Sequence, residues 1–403
     1  MSVSFGELSF SGISTDDILN TFLDMVKTSS PSGAEGPMRD YCIHRLEAMK
    51  PLCDDLHWQS DEAGNLIVEV PGEQCAHTDI LVFSGHLDVV PPCMNVEPVL
   101  FEMVQEDGGR DILIQSDGTT VLGADDKAGL TPILEALKYS LSQKTPRPKL
   151  RLIFTVGEET GLFGAKALSD EALNAGFAVT FDHTGRQGTL IHKAPAHYDY
   201  KITFGGKSVH AGIMPEQGVN AIVFASRVVR RLPQGKIPLE DSPSFLTANL
   251  GKIWGGKGTN VVPDAIEFTG EVRGHQTDAI ERQLEAIGKV LETESTLMLG
   301  TAYQYEQEVA YLPYELPLAH PGVKSVMAAM RKLGIEPNPI TTNGGSDNNI
   351  FMARGLSGVV LSAAYVEPHS LKESVKLSDI VTCTQLVLHM MAAFAESPFT
   401  VAK

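Results

Sequence analysis

Cysteine is scarce in this chain. Cys42, Cys53, Cys75, Cys93 and Cys383 are the only five in 403 residues. The number is odd and no pair stands at CxxC spacing, so a disulfide framework is not expected and a reducing compartment is the default. Positive charge is also in deficit. With 32 Lys and Arg against 50 Asp and Glu, the formal net charge is −18, which argues against nucleic acid or an anionic membrane as a partner. It leaves the charge of a substrate open, because a bound metal or a local Arg can reverse the field inside a cleft. No stretch approaches about 18 consecutive apolar residues, so no membrane span is expected. The start, Met1-Ser2-Val3-Ser4-Phe5-Gly6-Glu7, has neither a basic n-region nor an apolar h-region, so no signal peptide is expected and the cytoplasm is the expected location. There is no low-complexity tract, no internal repeat and no GxxxxGK(S/T) phosphate loop.

What is present fits a soluble globular protein: 43% hydrophobic and 20% charged residues, in a chain too long for one ordinary core. A helical pattern opens near Ala34, with Met38, Tyr41, Cys42, Leu46 and Met49 in register. Strand-like runs follow at Leu66–Val70, Ile80–Phe83, Ile112–Gln115, Leu150–Val156 and Phe177–Phe181. An amphipathic helix follows Asp125, with Leu130, Ile133, Leu134, Leu137 and Leu141 on one face. Strands alternating with helices predict a mainly parallel sheet flanked by helices. From about Ala194 the order becomes β-α-β-β-α-β: Tyr198–Phe204, a helix through Ala221–Leu232, Ala248–Trp254, Ala265–Arg273, a helix through Ile280–Leu291, and Ala302–Val309. That is the order of a ferredoxin-like α+β unit. After Pro317 the first pattern resumes with a helix, the strand Gly358–Ser362 and a closing helix through Phe394. The expected division is a catalytic α/β domain from 1–195 and 311–403, with residues 196–310 inserted as a second domain.

Ligands in such sheets bind outside the carboxyl ends of the strands. His86, Glu158, Glu159 and Asp182 all stand at such ends. His86 and Asp88 lie at i and i+2 on an extended chain and face the same way, so the pair can supply a metal ligand and its orienter. Alone, His-x-Asp fits a structural hydrogen bond better. Asp125-Asp126 at a helix start fits capping, or a carboxylate that bridges two cations with one oxygen each. Glu158 and Glu159, adjacent at a strand end, point different ways, so one can bind metal while the other acts as general base for water. Glu367-Pro368-His369-Ser370 adds a late loop imidazole. A dinuclear site then closes: His86 and Asp182 on one metal, Glu159 and His369 on the other, Asp125 on both.

In order, the segments SGHLDVVPP, SDGTTVLGADDKAG, TVGEETGLFGA, KSVHAGIMPEQGVNAI, GTNVVPDAIEFTGEVR and NGGSDNNIF resemble the motif series of the dinuclear zinc peptidases, a family that includes peptidase T, bacterial glutamate carboxypeptidase and succinyl-diaminopimelate desuccinylase. The resemblance is strongest to the peptidase T-like branch and covers nearly the whole chain. It implies two Zn²⁺ per chain (with Co²⁺ or Mn²⁺ able to substitute), the same ligands, Glu158 as base, Asp88 supporting His86, and a cis peptide after Asp125. It implies that the inserted domain is a lid, often a dimerisation surface. It also implies that His210 stabilises the oxyanion, that Asn260 and Arg273 hold substrate polar groups or carboxylate, and that Gly345 and Ser346 line the cleft. Read by itself, Arg273 also fits a surface salt bridge. His183 is unexpected after Asp182, and fits hydrogen-bonded packing better than a further ligand. His192 and His197 are expected to serve packing. Segment Leu100–Arg110 is longer than the family's usual connection.

The expected activity is hydrolysis of amide bonds in small peptides, of the tripeptide aminopeptidase type. A carboxypeptidase or a deacylase of N-acyl amino acids would use the same site. A non-catalytic metal or peptide binder would have no use for an unligated base. An Mg²⁺–phosphate enzyme fits poorly with two imidazoles.

Overall fold

The structure is a computed structural model that describes residues 13–104, 108–239 and 244–400. Its contacts divide it into a larger unit (residues 1–192, 315–341 and 346–403) and a smaller one (193–314 and 342–345). The division differs from the expected 196–310 insertion by a few residues at each end. The short stretch Thr342–Gly345 also goes with the smaller unit, tied in by Thr342 N–H donating to Lys193 O at 3.1 Å. Nothing in the composition of four loop residues marks that change.

Four apolar runs form the centre of the larger unit's main sheet. Lys149–Thr155, Ile80–His86, Phe177–Phe181 and Gly358–Leu361 are neighbours in that order, and each adjacent pair is parallel. Residues 81–86 and 177–181 are buried throughout, as expected of strands covered on both faces. The sheet is mixed rather than mainly parallel. Leu66–Val70 and His57–Ser60 extend one side antiparallel, and Thr189–Ala194 adds antiparallel to Gly358–Leu361 on the other. The helices Thr15–Lys27, Ala124–Gln143 and Leu377–Glu396 pack together within this unit. Their buried Phe22, Met25, Leu130, Leu134, Leu386 and Met390 belong to the same core cluster as Leu81, Phe83 and Phe154 on the sheet. Burying each such side chain contributes roughly 1.5–3 kcal/mol. Leu377–Glu396 is long and apolar enough to cross a membrane, but 67% of its most apolar window is buried within the protein. The segment expected to be a long connection is a hairpin, Pro98–Val104 with Arg110–Ser116, to which Ser374–Lys376 adds a third strand. Residues 105–107 lie outside the described part.

The smaller unit has the predicted β-α-β-β-α-β order: Ala196–Gly205, Ala221–Val229, Phe245–Gly255, Ala265–Gly274, Thr277–Leu297 and Ala302–Tyr311. Its sheet carries one further edge strand, Gly235–Pro238. Ile202, Phe204, Phe224, Phe268, Ile280 and Leu284 form its own core. All five cysteines are free thiols.

Candidate metal centre and substrate groups

Three neighbouring parallel strands deliver side chains to one end of the larger sheet. His86 closes its strand opposite Thr155. Glu158 and Glu159 follow the Lys149–Thr155 strand, and Asp182 follows Phe177–Phe181. The fourth strand, Gly358–Leu361, leads into the loop that carries His369. Asp125 comes from the start of the Ala124–Gln143 helix, where the Asp125–Asp126 peptide is cis, as the family resemblance implied. Asp125 and Asp126 have non-helical backbone angles there.

The Asp125 carboxylate lies between two imidazoles. Its Oδ1 is 3.2 Å from His86 Nε2, and its Oδ2 is 3.5 Å from His369 Nε2. Asp182 Oδ1 is 3.8 Å from His86 Nε2, and Glu159 Oε1 is 2.8 Å from His369 Nε2. Two ligand groups result, His86–Asp125–Asp182 and Asp125–Glu159–His369. In each, the ligand atoms lie within 4.8 Å of one another. Tetrahedral ligands about 2.0–2.1 Å from a cation lie about 3.3 Å apart, so these separations fit a pair of cations that share one carboxylate. An N/O donor set with two imidazoles suits zinc and its first-row neighbours.

The ligands are held from behind. His86 Nδ1 donates to the backbone O of Asp88 at 3.0 Å, which turns Nε2 toward Asp125 and Asp182. The Asp88 carboxylate sits 3.5 Å from the same Nδ1, and its main partners are elsewhere. Its Oδ1 accepts Glu158 N–H at 3.0 Å, and its Oδ2 accepts Glu159 N–H at 3.2 Å and Ser32 Oγ–H at 2.6 Å. Asp88 is therefore a buried hub that fixes the Glu158-Glu159 turn as well as the imidazole. Glu35 does the same one residue earlier by accepting Gly157 N–H at 3.0 Å. Asp126 is fully buried and accepts His86 N–H at 3.2 Å. It fits because Gly85 and Gly129 carry no side chain: a Cβ on either would come 2.3 Å from an Asp126 oxygen.

Burial pushes the Glu158 carboxyl well up from its ordinary value; Asp182 adds to the shift and His86 opposes it. Burial likewise raises Asp182, helped by the Asp125 charge. Asp125 is lowered despite its burial, because His369 and His86 hydrogen-bond to it. His369 is raised to about 10, mainly by the hydrogen bonds to Asp125 and Glu159. Glu158 belongs to neither ligand group built on Asp125. It groups with His86 and Glu159, within reach of the same space and uncommitted to a bridging position.

In the smaller unit, His210 is exposed. Its Nδ1 accepts Gly212 N–H at 3.2 Å, so Nε2 carries the proton of the neutral ring. Asn260 is beside it: Ala211 N–H donates to Asn260 O at 2.9 Å, and His210 pairs with Val261. Arg273 places Nε and Nη2 on the two Glu271 oxygens at 3.1 and 2.9 Å, and Nη1 on Tyr311 Oη at 3.2 Å. Gly345 lies flat against Tyr311, where a Cβ would meet ring atoms at 2.1 Å. Ser346 belongs to the larger unit and caps the Asp347–Ala353 helix. His183 is half-buried, its Nδ1 bonded to Thr184 O, in keeping with hydrogen-bonded packing. His192 bonds to Leu316 O at 3.0 Å. His197 packs edge-on against Tyr311 with ring centroids 5.2 Å apart, and its Nε2 lies 3.1 Å from Asp199 and 3.3 Å from Glu271, joining the charged network around Arg273.

Asp126, Ser32, Glu35 and Glu373 also shape the centre, yet stand outside the expected set. Asp126 carried a signal, since it is half of the Asp125-Asp126 pair. The others act through backbone N–H groups or through Asp88 across long sequence separations, and leave no periodicity to read.

Comparison with known proteins points to peptidases. Residues 65–210 match the model of Peptidase family M28, and residues 197–296 match that of the Peptidase dimerisation domain of the M20 peptidases. The chain is 31% identical in sequence to a tripeptidase of Staphylococcus aureus of known structure, with a TM-score of 0.83 over 96% of this chain and 100% of that one. The aminopeptidase PepT of Bacillus cereus gives 30% identity and a TM-score of 0.79 over 95% and 99%. Peptidase T of Listeria monocytogenes is 27% identical over 94% of this chain and 99% of its own length.

Proposed function

The chain belongs to the peptidase T-like branch of the M20 metallopeptidases, and on that premise we propose that it is a tripeptide-type aminopeptidase with two Zn²⁺ per chain. The observation that carries this is the Asp125 carboxylate, with one oxygen toward each imidazole and Glu158 left outside both of its ligand groups. His86, Asp125 and Asp182 would hold one cation, and Asp125, Glu159 and His369 the other. Co²⁺ or Mn²⁺ would substitute for zinc. Bound there, the metals would supply Lewis acidity to the scissile carbonyl and lower the pKa of water.

The remaining steps belong to the chain itself. Glu158, whose carboxyl is raised by burial, takes the proton of the attacking water and returns it to the leaving amine. Asp88 keeps the Glu158 backbone in place through its N–H. His210 presents an Nε2–H donor suited to charge that develops on the carbonyl oxygen, and Asn260 lies beside it. Arg273, oriented by Glu271 and Tyr311, offers its remaining N–H groups to a substrate carboxylate. Gly345 and Ser346 are further residues proposed to meet the substrate. The smaller unit would serve as the surface of a homodimer, a reading supported by the dimerisation-domain match, and as the lid that the family resemblance implies. Five free thiols and the acidic balance support a cytoplasmic enzyme whose partners are small peptides, not nucleic acid or membrane.

The test is a substrate panel with zinc-loaded and chelated protein: free-amine tripeptides, their N-acetylated forms, dipeptides and N-acyl amino acids. Cleavage of free-amine tripeptides that disappears on chelation and on N-acetylation is the expected result. Turnover of N-acyl amino acids in preference would overturn the substrate class.

A further inference from the structure

The segment from Val366 to Ser374 is closed on itself. Val366 N–H donates to Ser374 O at 2.8 Å, and Ser374 N–H returns to Val366 O at 3.1 Å. Inside the loop, Ser370 Oγ–H donates to Glu367 O at 2.9 Å, Lys372 N–H to Ser370 Oγ at 3.1 Å, and Glu373 N–H to Ser370 O at 3.1 Å. Ser374–Lys376 then anchors it as a strand against Arg110–Ser116. The loop meets Asp125 twice. His369 faces the carboxylate, with Nε2 at 3.5 Å from Oδ2. Glu373, 1% exposed, reaches the backbone behind it: Oε2 accepts Gly123 N–H at 2.7 Å and Oε1 accepts Asp125 N–H at 2.8 Å.

Those two N–H groups stand at the start of the Ala124–Gln143 helix, where no intrahelical acceptor is available. Gly123 is left-handed, at φ 75°, and Asp125 extended, at φ −80° and ψ 102°. A carboxyl group that receives both N–H groups fixes that stretch of backbone. We propose that Glu373 is a positioning residue of the metal centre. It clamps the Asp125 backbone so that both carboxylate oxygens face their imidazoles at once. It also ties the placement of His369 to that of Asp125 through one closed loop. Losing Glu373 then weakens both cation positions together, whereas losing Asp182 or Glu159 weakens one. This inference rests on the two-cation reading.

The experiment compares wild type with Glu373→Gln and Glu373→Ala. Amide exchange across residues 119–127 and melting are followed in the metal-free proteins. Zinc affinity is measured against a competing chelator, and kcat and KM are measured after zinc loading. Exchange rises at 122–126 and stays unchanged elsewhere, while the melting temperature moves little. The affinities of both zinc ions fall together by about 10–100-fold, and kcat falls with KM nearly constant. If Glu373→Ala does not fold, Glu373→Gln, which keeps the shape and one acceptor oxygen, decides the outcome. Unchanged zinc affinity in a variant whose wild type binds two zinc ions overturns the inference. Exchange that rises throughout the larger unit, with a lowered melting temperature and normal zinc affinity, assigns Glu373 a merely structural role and also overturns it. A wild type that binds fewer than two zinc ions instead overturns the two-cation reading itself.

Discussion

His86 in the larger unit is 1% exposed, with its Nδ1 on the Asp88 carbonyl and its Nε2 facing two carboxylates. His210 in the smaller unit is exposed, and its ring meets the N–H of Gly212. His86 and Asp125, proposed as metal ligands, are buried and their backbone N–H groups are bonded to other acids, Asp126 and Glu373, and Asp88 holds the N–H groups of Glu158 and Glu159, while His369 on its loop is exposed. Among the groups proposed for the substrate, His210 and Asn260 are exposed, Arg273 and Gly345 half-buried, and Ser346 buried. The difference follows from what each must do. A pair of like-charged cations tolerates little error in ligand placement, whereas groups that meet a substrate must stay open to it.

This contrast can be broken most sharply at Glu158. Glu158→Gln is expected to lower kcat by about 10²–10⁴-fold while both metals stay bound, as read by steady-state kinetics and metal analysis on the same sample. Loss of the metals would move Glu158 into the ligand set. His210→Ala is expected to cost about 10²–10³-fold in kcat, with zinc affinity unchanged; a parallel loss of zinc would contradict the division between the two units. Arg273→Ala is expected to lower kcat/KM by about 10–100-fold for peptides with a free carboxylate and to matter little for their carboxamides. Equal losses on both would reduce Arg273 to a structural partner of Glu271.

The smallest effect concerns a half-buried acid of the larger unit away from the ligands. Burial raises Asp379 to about 6, with Asp111 adding to the shift and Lys376 opposing it. A carboxyl raised in the fold contributes stability that is complete below its unfolded value, near 3.9, and lost as pH rises through its folded value. Between pH 4 and 7 this group is therefore expected to remove about 1–3 kcal/mol of stability, and Asp379→Asn to flatten that part of the profile in urea melts.

Much of the centre was legible in the sequence because apolar runs end at chemistry. Ile80–Phe83 leads into His86, Leu150–Val156 into Glu158, and Phe177–Phe181 into Asp182, and parallel strands bring such ends together. The ferredoxin-like order was legible for the same reason, since alternation and helical spacing are local. The antiparallel flanks of the main sheet were not, because partner choice and direction are long-range properties. Thr15–Lys27 has a Ser14 cap and buried Ile18, Phe22, Met25 and Val26 at helical spacing. Its signal was present, although the reading began the helices near Ala34. Glu373 could not be read at all: its meaning lies in two backbone N–H groups some 250 positions away.

The most direct test of the account is anomalous scattering from crystals of the zinc-loaded protein. The account expects two peaks, one on each side of the Asp125 carboxylate, with His86 and Asp182 on the first and Glu159 and His369 on the second. A single peak, or a pair in which Asp125 bridges nothing, would contradict it.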